Sequence, residues 1–220
     1  MRGGGHFDTL NIMKKSLPFI LAILVLIFAS YTALSHNSPR RIKNYPSFGT
    51  KIIAFGDSLV EGVGATEGND LFSLLSRQLG EPIYNYGRAG DTTILALERL
   101  PDVLEEVPSP RVVVILLGGN DFLQGIPKEI VFSNLEKIIQ SFQDHGAVVM
   151  LLGIRGGVFK DNFEKDFKNL RDTYHIAYVS NILEGLITDR SAMFDSIHPN
   201  DIGYERISER VFPVLKRISR

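Results

Sequence analysis

The stretch "KIIAFGDSLVEGVGATEG", residues 51–68, starts as a buried strand and ends as something else. Ile52, Ile53, Ala54 and Phe55 form a short apolar run, and Gly56, Asp57 and Ser58 cut it off. A glycine, a carboxylate and a hydroxyl at the tip of a core strand need a reason. That reason depends on what stands at the ends of the other strands.

Outward from this stretch the chain alternates strand and helix signals. "NDLFSLLSRQLG" (69–80) places Leu71, Leu74, Leu75 and Leu79 at helical spacing, with Asn69 or Asp70 as N-cap and Gly80 as stop. "PIYNYG" (82–87) is a short second strand. "DTTILALERLPDVLEEV" (91–107) predicts a helix broken at Pro101, which lacks the N–H that the helical ladder needs. "RVVVILLGGND" (111–121) is apolar without alternation, as a central strand covered on both faces would be. "PKEIVFSNLEKIIQSFQDHG" (127–146) is an amphipathic helix with Pro127 near its start and Gly146 at its end. "AVVMLLG", "KDNFEKDFKNLRDTYH", "IAYVS" and "NDIGYERISERVFPVLKRI" continue as strand, helix, strand and closing helix. Strands separated by helices imply an α/β fold, a parallel sheet with helices on both faces.

Composition narrows the function classes. With 44% hydrophobic and 22% charged residues the chain is globular, and its net charge of −1 carries no basic surface for nucleic acid. The absence of cysteine rules out disulfides, thiolate metal sites and a cysteine nucleophile.

The N-terminus differs from the rest. Lys14 and Lys15 precede "SLPFILAILVLIFASYTALS" (16–35), which has no charge and no polar face. Its apolar part is roughly 18 residues, at the short end of what spans a bilayer. Residues 1–16 are read as a cytoplasmic extension, 17–35 as a hydrophobic helix, 36–50 as a linker and 51–220 as the globular domain. The helix is either a transmembrane anchor or a cleaved signal peptide. Its length favours the anchor, while Ala33, Leu34 and Ser35 offer a cleavage site. Either way the domain is expected outside the cytoplasm, and either Met1 or Met13 fits as the start.

In open parallel sheets, sites form outside the carboxyl ends of the strands. The first strand is followed by Gly56-Asp57-Ser58, the second by Gly87-Arg88-Ala89-Gly90-Asp91, and the third by Gly118-Gly119-Asn120-Asp121. Just before the last helix stands Asp195-Ser196-Ile197-His198-Pro199. A serine hydroxyl needs a neighbouring base to attack, and His198 is the candidate because imidazole titrates near working pH. Asp195, three residues earlier, is placed to fix the imidazole tautomer. An oxyanion needs preorganised donors, which the N–H groups of Ser58 and Gly90 and the side-chain amide of Asn120 supply.

These blocks resemble the GDSL or SGNH hydrolases: "GDSL" at 56–59, "GRAGDTT" at 87–93, "GGND" at 118–121 and "DSIHPN" at 195–200. The resemblance covers essentially all of 51–218. It implies Ser58, Asp195 and His198 as catalytic residues and Ser58, Gly90 and Asn120 as the oxyanion hole. "LGGNDFLQGIP" is most similar to the small bacterial thioesterase, lysophospholipase and arylesterase branch. That branch implies a flavodoxin-like three-layer sandwich, its five-stranded parallel sheet ordered 2-1-3-4-5. It also implies a serine hydrolase of carboxylic esters or thioesters that needs no cofactor. The substrate expected is a small acyl ester, thioester or lysophospholipid. One departure is that the branch is usually free in the periplasm, whereas residues 17–35 here offer a membrane attachment. An esterase for O-acetylated carbohydrate, or a tethered binding module without catalysis, would use the same fold. The sequence leaves oligomeric state open.

Plainer readings apply elsewhere. Asp57, Asp91 and Asp121 are expected to make turn and capping hydrogen bonds. His145 closes a helix, and His36 and His175 need no function. Arg88 and Arg155 read as solvated. "EGVGATEG" (61–68) lacks the Lys-Ser/Thr of a phosphate loop and reads as a mobile loop beside the serine. The five histidines are scattered and only Asp195 and His198 stand close, too few ligands for zinc, so no metal is expected. Phe122, Leu123, Ile126, Val158 and Phe159, after the third and fourth strands, are candidates to line an acyl groove.

Overall fold

The computed structural model describes residues 42–154 and 163–220. Five strands form one parallel sheet: β1 (Lys51–Gly56), β2 (Ile83–Gly87), β3 (Pro110–Leu116), β4 (Val148–Leu152) and β5 (Ala177–Val179). Their order is β2-β1-β3-β4-β5, as the resemblance implied. The expected hydrophobic helix at 17–35 lies outside the described residues. Among those residues no helix is long and apolar enough to cross a membrane.

The uninterrupted apolar runs follow from the layering. Successive side chains of a strand point to opposite faces, so each run feeds two cores. Ile52 and Ala54 of β1, with Val112 and Val114 of β3, pack beneath α2 (Leu71–Leu79) and α7 (Asp201–Ile218). Ile53 and Phe55, with Val113 and Ile115, pack beneath α3 (Thr93–Glu106), α5 (Lys128–Asp144) and α6 (Phe163–Tyr174). Two further helices are single turns, α1 (Ser58–Glu61) and α4 (Gly119–Leu123). Neither α4 nor the short 3₁₀ turn at Arg190–Ala192 shows in the hydrophobic pattern, because both are too short to have a period.

The helix ends are set by local chemistry. Asp70, not Asn69, caps α2, its carboxylate accepting from the Phe72 and Ser73 N–H groups at 3.0 Å each. Gly80 closes that helix at φ 75°, a left-handed conformation that glycine adopts without strain. The break expected at Pro101 does not occur, and α3 runs through it. An interior proline costs about 3 kcal/mol. Leu100 and Val103 flank it and are both buried, each side chain contributing about 1.5–3 kcal/mol. Packing against the sheet offsets the lost hydrogen bond.

Residues 42–49, the end of the segment read as a linker, are hydrogen-bonded to the domain. Asn44 Nδ2 donates to the carbonyls of Gln143 (2.7 Å) and Ala147 (3.0 Å), and Ser47 Oγ donates to that of Gly146 (2.8 Å). These carbonyls precede β4. The chain therefore enters the domain at the amino ends of the strands, opposite the end where Ser58 stands.

Candidate active site

Ser58 is presented by a tight exit from β1. A Cβ at Gly56 would lie 2.1 Å from the Leu116 carbonyl oxygen and 2.5 Å from a Val60 methyl, so only glycine fits. Asp57 then caps α1, accepting from the Leu59 N–H at 3.0 Å, as its capping assignment expected. Ser58 is the first residue of that helix and is 8% exposed.

Its partner comes from 140 positions further along the chain. His198 Nε2 lies 3.0 Å from Ser58 Oγ, and His198 Nδ1 lies 2.7 Å from Asp195 Oδ2. The other oxygen, Asp195 Oδ1, accepts from the backbone N–H groups of Ile197 and His198, both at 2.7 Å. With Nδ1–H donated to the carboxylate, Nε2 is the acceptor for the serine proton. Burial would raise the Asp195 carboxyl. The hydrogen bonds from the His198 N–H, the His198 ring and the Ile197 N–H outweigh it and hold the group below the usual carboxylate range. The residue therefore stays ionised, as an acceptor for imidazolium must.

The loop carrying this pair is fastened on both sides. Met193 and Pro199 form an isolated antiparallel bridge, and the Phe194 N–H donates to the His198 carbonyl at 2.8 Å. Asn200 caps α7 directly after it. The stretch 61–68, read as a mobile loop, is tied down here. Thr66 donates to Asp201 through its N–H (2.7 Å) and its hydroxyl (2.6 Å), and buried Tyr204 donates to the Val63 carbonyl at 2.8 Å.

The expected oxyanion donors lie on the same rim. Asn120 sits on α4, and its Nδ2 donates to the Asp91 carbonyl at 2.9 Å, leaving one N–H of the amide over. Gly90 holds φ 85° in an exposed turn after β2. Among the described residues, neither the Ser58 nor the Gly90 N–H donates to a protein acceptor. Three donors without protein partners thus cluster at the ends of three adjacent strands.

Beneath them lie three buried carboxylates. Asp121 accepts from the Thr93 N–H (2.9 Å) and hydroxyl (2.6 Å), which fixes the start of α3. Asp91 is ion-paired with Arg99 at 2.6 Å, more than the turn role its position predicted. Asp57 is 3% exposed, and burial, aided by the charges of Asp91 and Asp121, pushes it up to about 7 despite its bond from Leu59. Arg99 escaped sequence reasoning, since one arginine on a helix has no local signal. Its spacing eight residues after Asp91, two turns on, was the available clue.

An apolar cavity of about 50 Å³ adjoins Ser58 and Asn120. Leu123 lines it as expected, but Ile154, Leu183, Ile187 and Ile197 supply most of its large apolar side chains. Phe122 instead packs edge-on against Phe163, and Ile126 rests on the core. Val158, Phe159 and Arg155 lie outside the described residues. His145 closes α5, its Nδ1 donating to the Ser141 carbonyl at 2.7 Å. Among the described residues no three His, Asp or Glu side chains are arranged to hold a metal ion.

Residues 54–206 match the family model for GDSL-like lipases and acylhydrolases. The chain is 32% identical over 176 residues to esterase TesA of Pseudomonas aeruginosa, covering 75% of this chain and 87% of that one. It is 33% identical over 172 residues to an arylesterase of Vibrio mimicus, covering 73% and 86%. The crystal structure of TesA superposes with a TM-score of 0.72 at 31% identity, covering 77% of this chain and 99% of that one. The sequence blocks, the sheet order and these likenesses agree: the chain belongs to the GDSL, or SGNH, family of ester hydrolases.

Proposed function

We propose that the chain cleaves small carboxylic esters or thioesters through a Ser58–His198–Asp195 triad and an acyl-enzyme. The observation that carries this reading is the 3.0 Å contact of His198 Nε2 with Ser58 Oγ, with Asp195 2.7 Å behind the ring. As Ser58 Oγ bonds to the acyl carbon, its proton passes to Nε2, and Asp195 stabilises the imidazolium. The charge on the acyl oxygen falls to the N–H groups of Ser58 and Gly90 and the Asn120 amide. Collapse breaks the bond to the leaving alcohol or thiol, which takes the proton from Nε2. Water, losing its proton to the same nitrogen, then attacks the acyl carbon; the bond to Ser58 Oγ breaks, the acid leaves, and Nε2 returns the proton to Oγ.

The cavity lined by Ile154, Leu183 and Ile187 favours short apolar acyl groups. The test is Ser58→Ala against p-nitrophenyl esters. Activity falls to background with an unchanged circular dichroism spectrum, and undiminished turnover would refute the mechanism.

The reading extends to location: an exported or membrane-anchored domain outside the cytoplasm, attached through residues 17–35. Its support is the uncharged stretch behind Lys14 and Lys15. Fractionation of cells expressing the full chain tests it. Recovery with the cytosol, at full length, overturns it.

A further inference from the structure

The three proposed oxyanion donors come from separate strand ends, and a hole of that kind works only if its donors are held to within about half an ångström. The β1–β3 side is fixed by the sheet, since Gly56 pairs with Leu116 and the Asp57 N–H donates to the Leu116 carbonyl at 3.3 Å. The β1–β2 side is not. Pairing ends at Gly56 and Gly87, the Arg88 N–H still reaches the Gly56 carbonyl at 2.9 Å, and then Ala89 and Gly90 turn out into solvent. Gly90 and the carbonyl that orients Asn120 both lie past the last main-chain contact between the two strands.

Two side chains span the gap: Glu61 of α1 accepts from the Ala89 N–H, and Arg99 reaches the residue beyond Gly90. Arg99, on the second turn of α3, donates through Nε to Asp91 Oδ2 at 2.6 Å. Through one terminal nitrogen it donates to the carbonyls of Gly56 at 3.1 Å and Tyr86 at 2.9 Å. Its guanidinium lies 4.4 Å from the centre of the Phe55 ring. Asp91 is buried, at 3% side-chain exposure, and Arg99 is partly buried, at 14%. We propose that Arg99 is the positioning residue of the oxyanion hole. It locks the ends of β1 and β2 to the Gly90–Asp91 turn, and through the Asp91 carbonyl it orients the Asn120 amide. The role rests on reading Ser58 as nucleophile and Gly90 and Asn120 as donors.

The chemistry requires arginine. A planar fork addresses a carboxylate, two carbonyls and a ring face at once, whereas an ammonium is a point charge on a flexible stem. Arg99→Lys keeps the charge beside Asp91 and loses the fork. Without the fork the turn is free to relax, and misplacing a catalytic group by about 1 Å costs about a hundredfold.

The experiment is a double-mutant cycle of Arg99→Lys with Asn120→Ala, read as kcat and KM on a p-nitrophenyl ester beside the melting temperature. Arg99→Lys lowers kcat about ten- to a hundredfold, with KM within about threefold of wild type. In that background Asn120→Ala costs about tenfold or less, because its amide is already misdirected. A wild-type kcat in folded Arg99→Lys, or the full Asn120→Ala loss in both backgrounds, overturns the proposal. Should Arg99→Lys not fold, Asp91→Asn releases the same clamp from its other side and is read by the same cycle and criteria. Ser58→Ala separates the two levels. If it stays active, the hydrolase mechanism is wrong; if it is dead while Arg99→Lys turns over normally, only the positioning role is.

Discussion

The side chain of Asn120 donates to the main-chain carbonyl of Asp91 at 2.9 Å, joining the end of β3 to the turn after β2. An amide has two N–H donors, and this bond uses one to aim the other. Asn120→Ala removes both and leaves Ser58 and His198 untouched. We expect kcat to fall by roughly two to three powers of ten, which steady-state assays on a p-nitrophenyl ester will read. A loss of tenfold or less takes Asn120 out of the oxyanion hole.

Asp57 gives stability a pH dependence with an unusual sign. Burial pushes it from 3.8 up to about 7, so the folded protein holds its proton more tightly than the unfolded chain does. The stabilisation is complete below the unfolded value and is lost as pH rises through the folded one. Asp57→Asn removes this titration and keeps an oxygen for the Leu59 N–H. Wild type minus Asp57→Asn should therefore be most positive in melting temperature near pH 4 and decline towards pH 8. A difference that stays level across that range rejects the assignment.

Gly64 presses against the loop that carries His198. At φ 95°, an added Cβ would lie 2.4 Å from the Pro199 carbonyl oxygen and 3.3 Å from the His198 Cβ. Gly64→Ala therefore displaces the His198 loop or strains the turn. We expect a kcat loss of about tenfold or more in protein that still folds. Unchanged kinetics would mean that the loop yields without moving the imidazole.

Ile187 walls the cavity beside Ser58. Ile187→Trp fills that space, and a chain-length series of p-nitrophenyl esters reports the effect. Relative to the acetate, kcat/KM for longer acyl chains should drop by about tenfold or more. A uniform loss at every chain length would place the acyl group elsewhere.

Much of this site was legible because its parts are local. Asp195 and His198 are three residues apart, and Asp57 sits beside Ser58, so turn and capping chemistry shows in single short segments. Sheet logic then put those segments on one rim. The pocket wall was less legible. Leu183 and Ile187 follow β5 in a stretch without period, and only the fold brings them to the cavity beside Ser58 and Leu59. The tethering of residues 62–68 by Asp201 was equally hidden, since its two partners lie 135 positions apart.

The sequence by itself determined the alternation of strands and helices, and hence which residues stand at strand ends. Hydrophobic period and end chemistry are properties of neighbours in the chain. Tertiary structure decided that α3 passes through Pro101, because burial on the sheet outweighs one missing hydrogen bond. It also decided that Arg99 gathers two strand ends and a turn. Such contacts join residues far apart in the chain, and no local pattern records them.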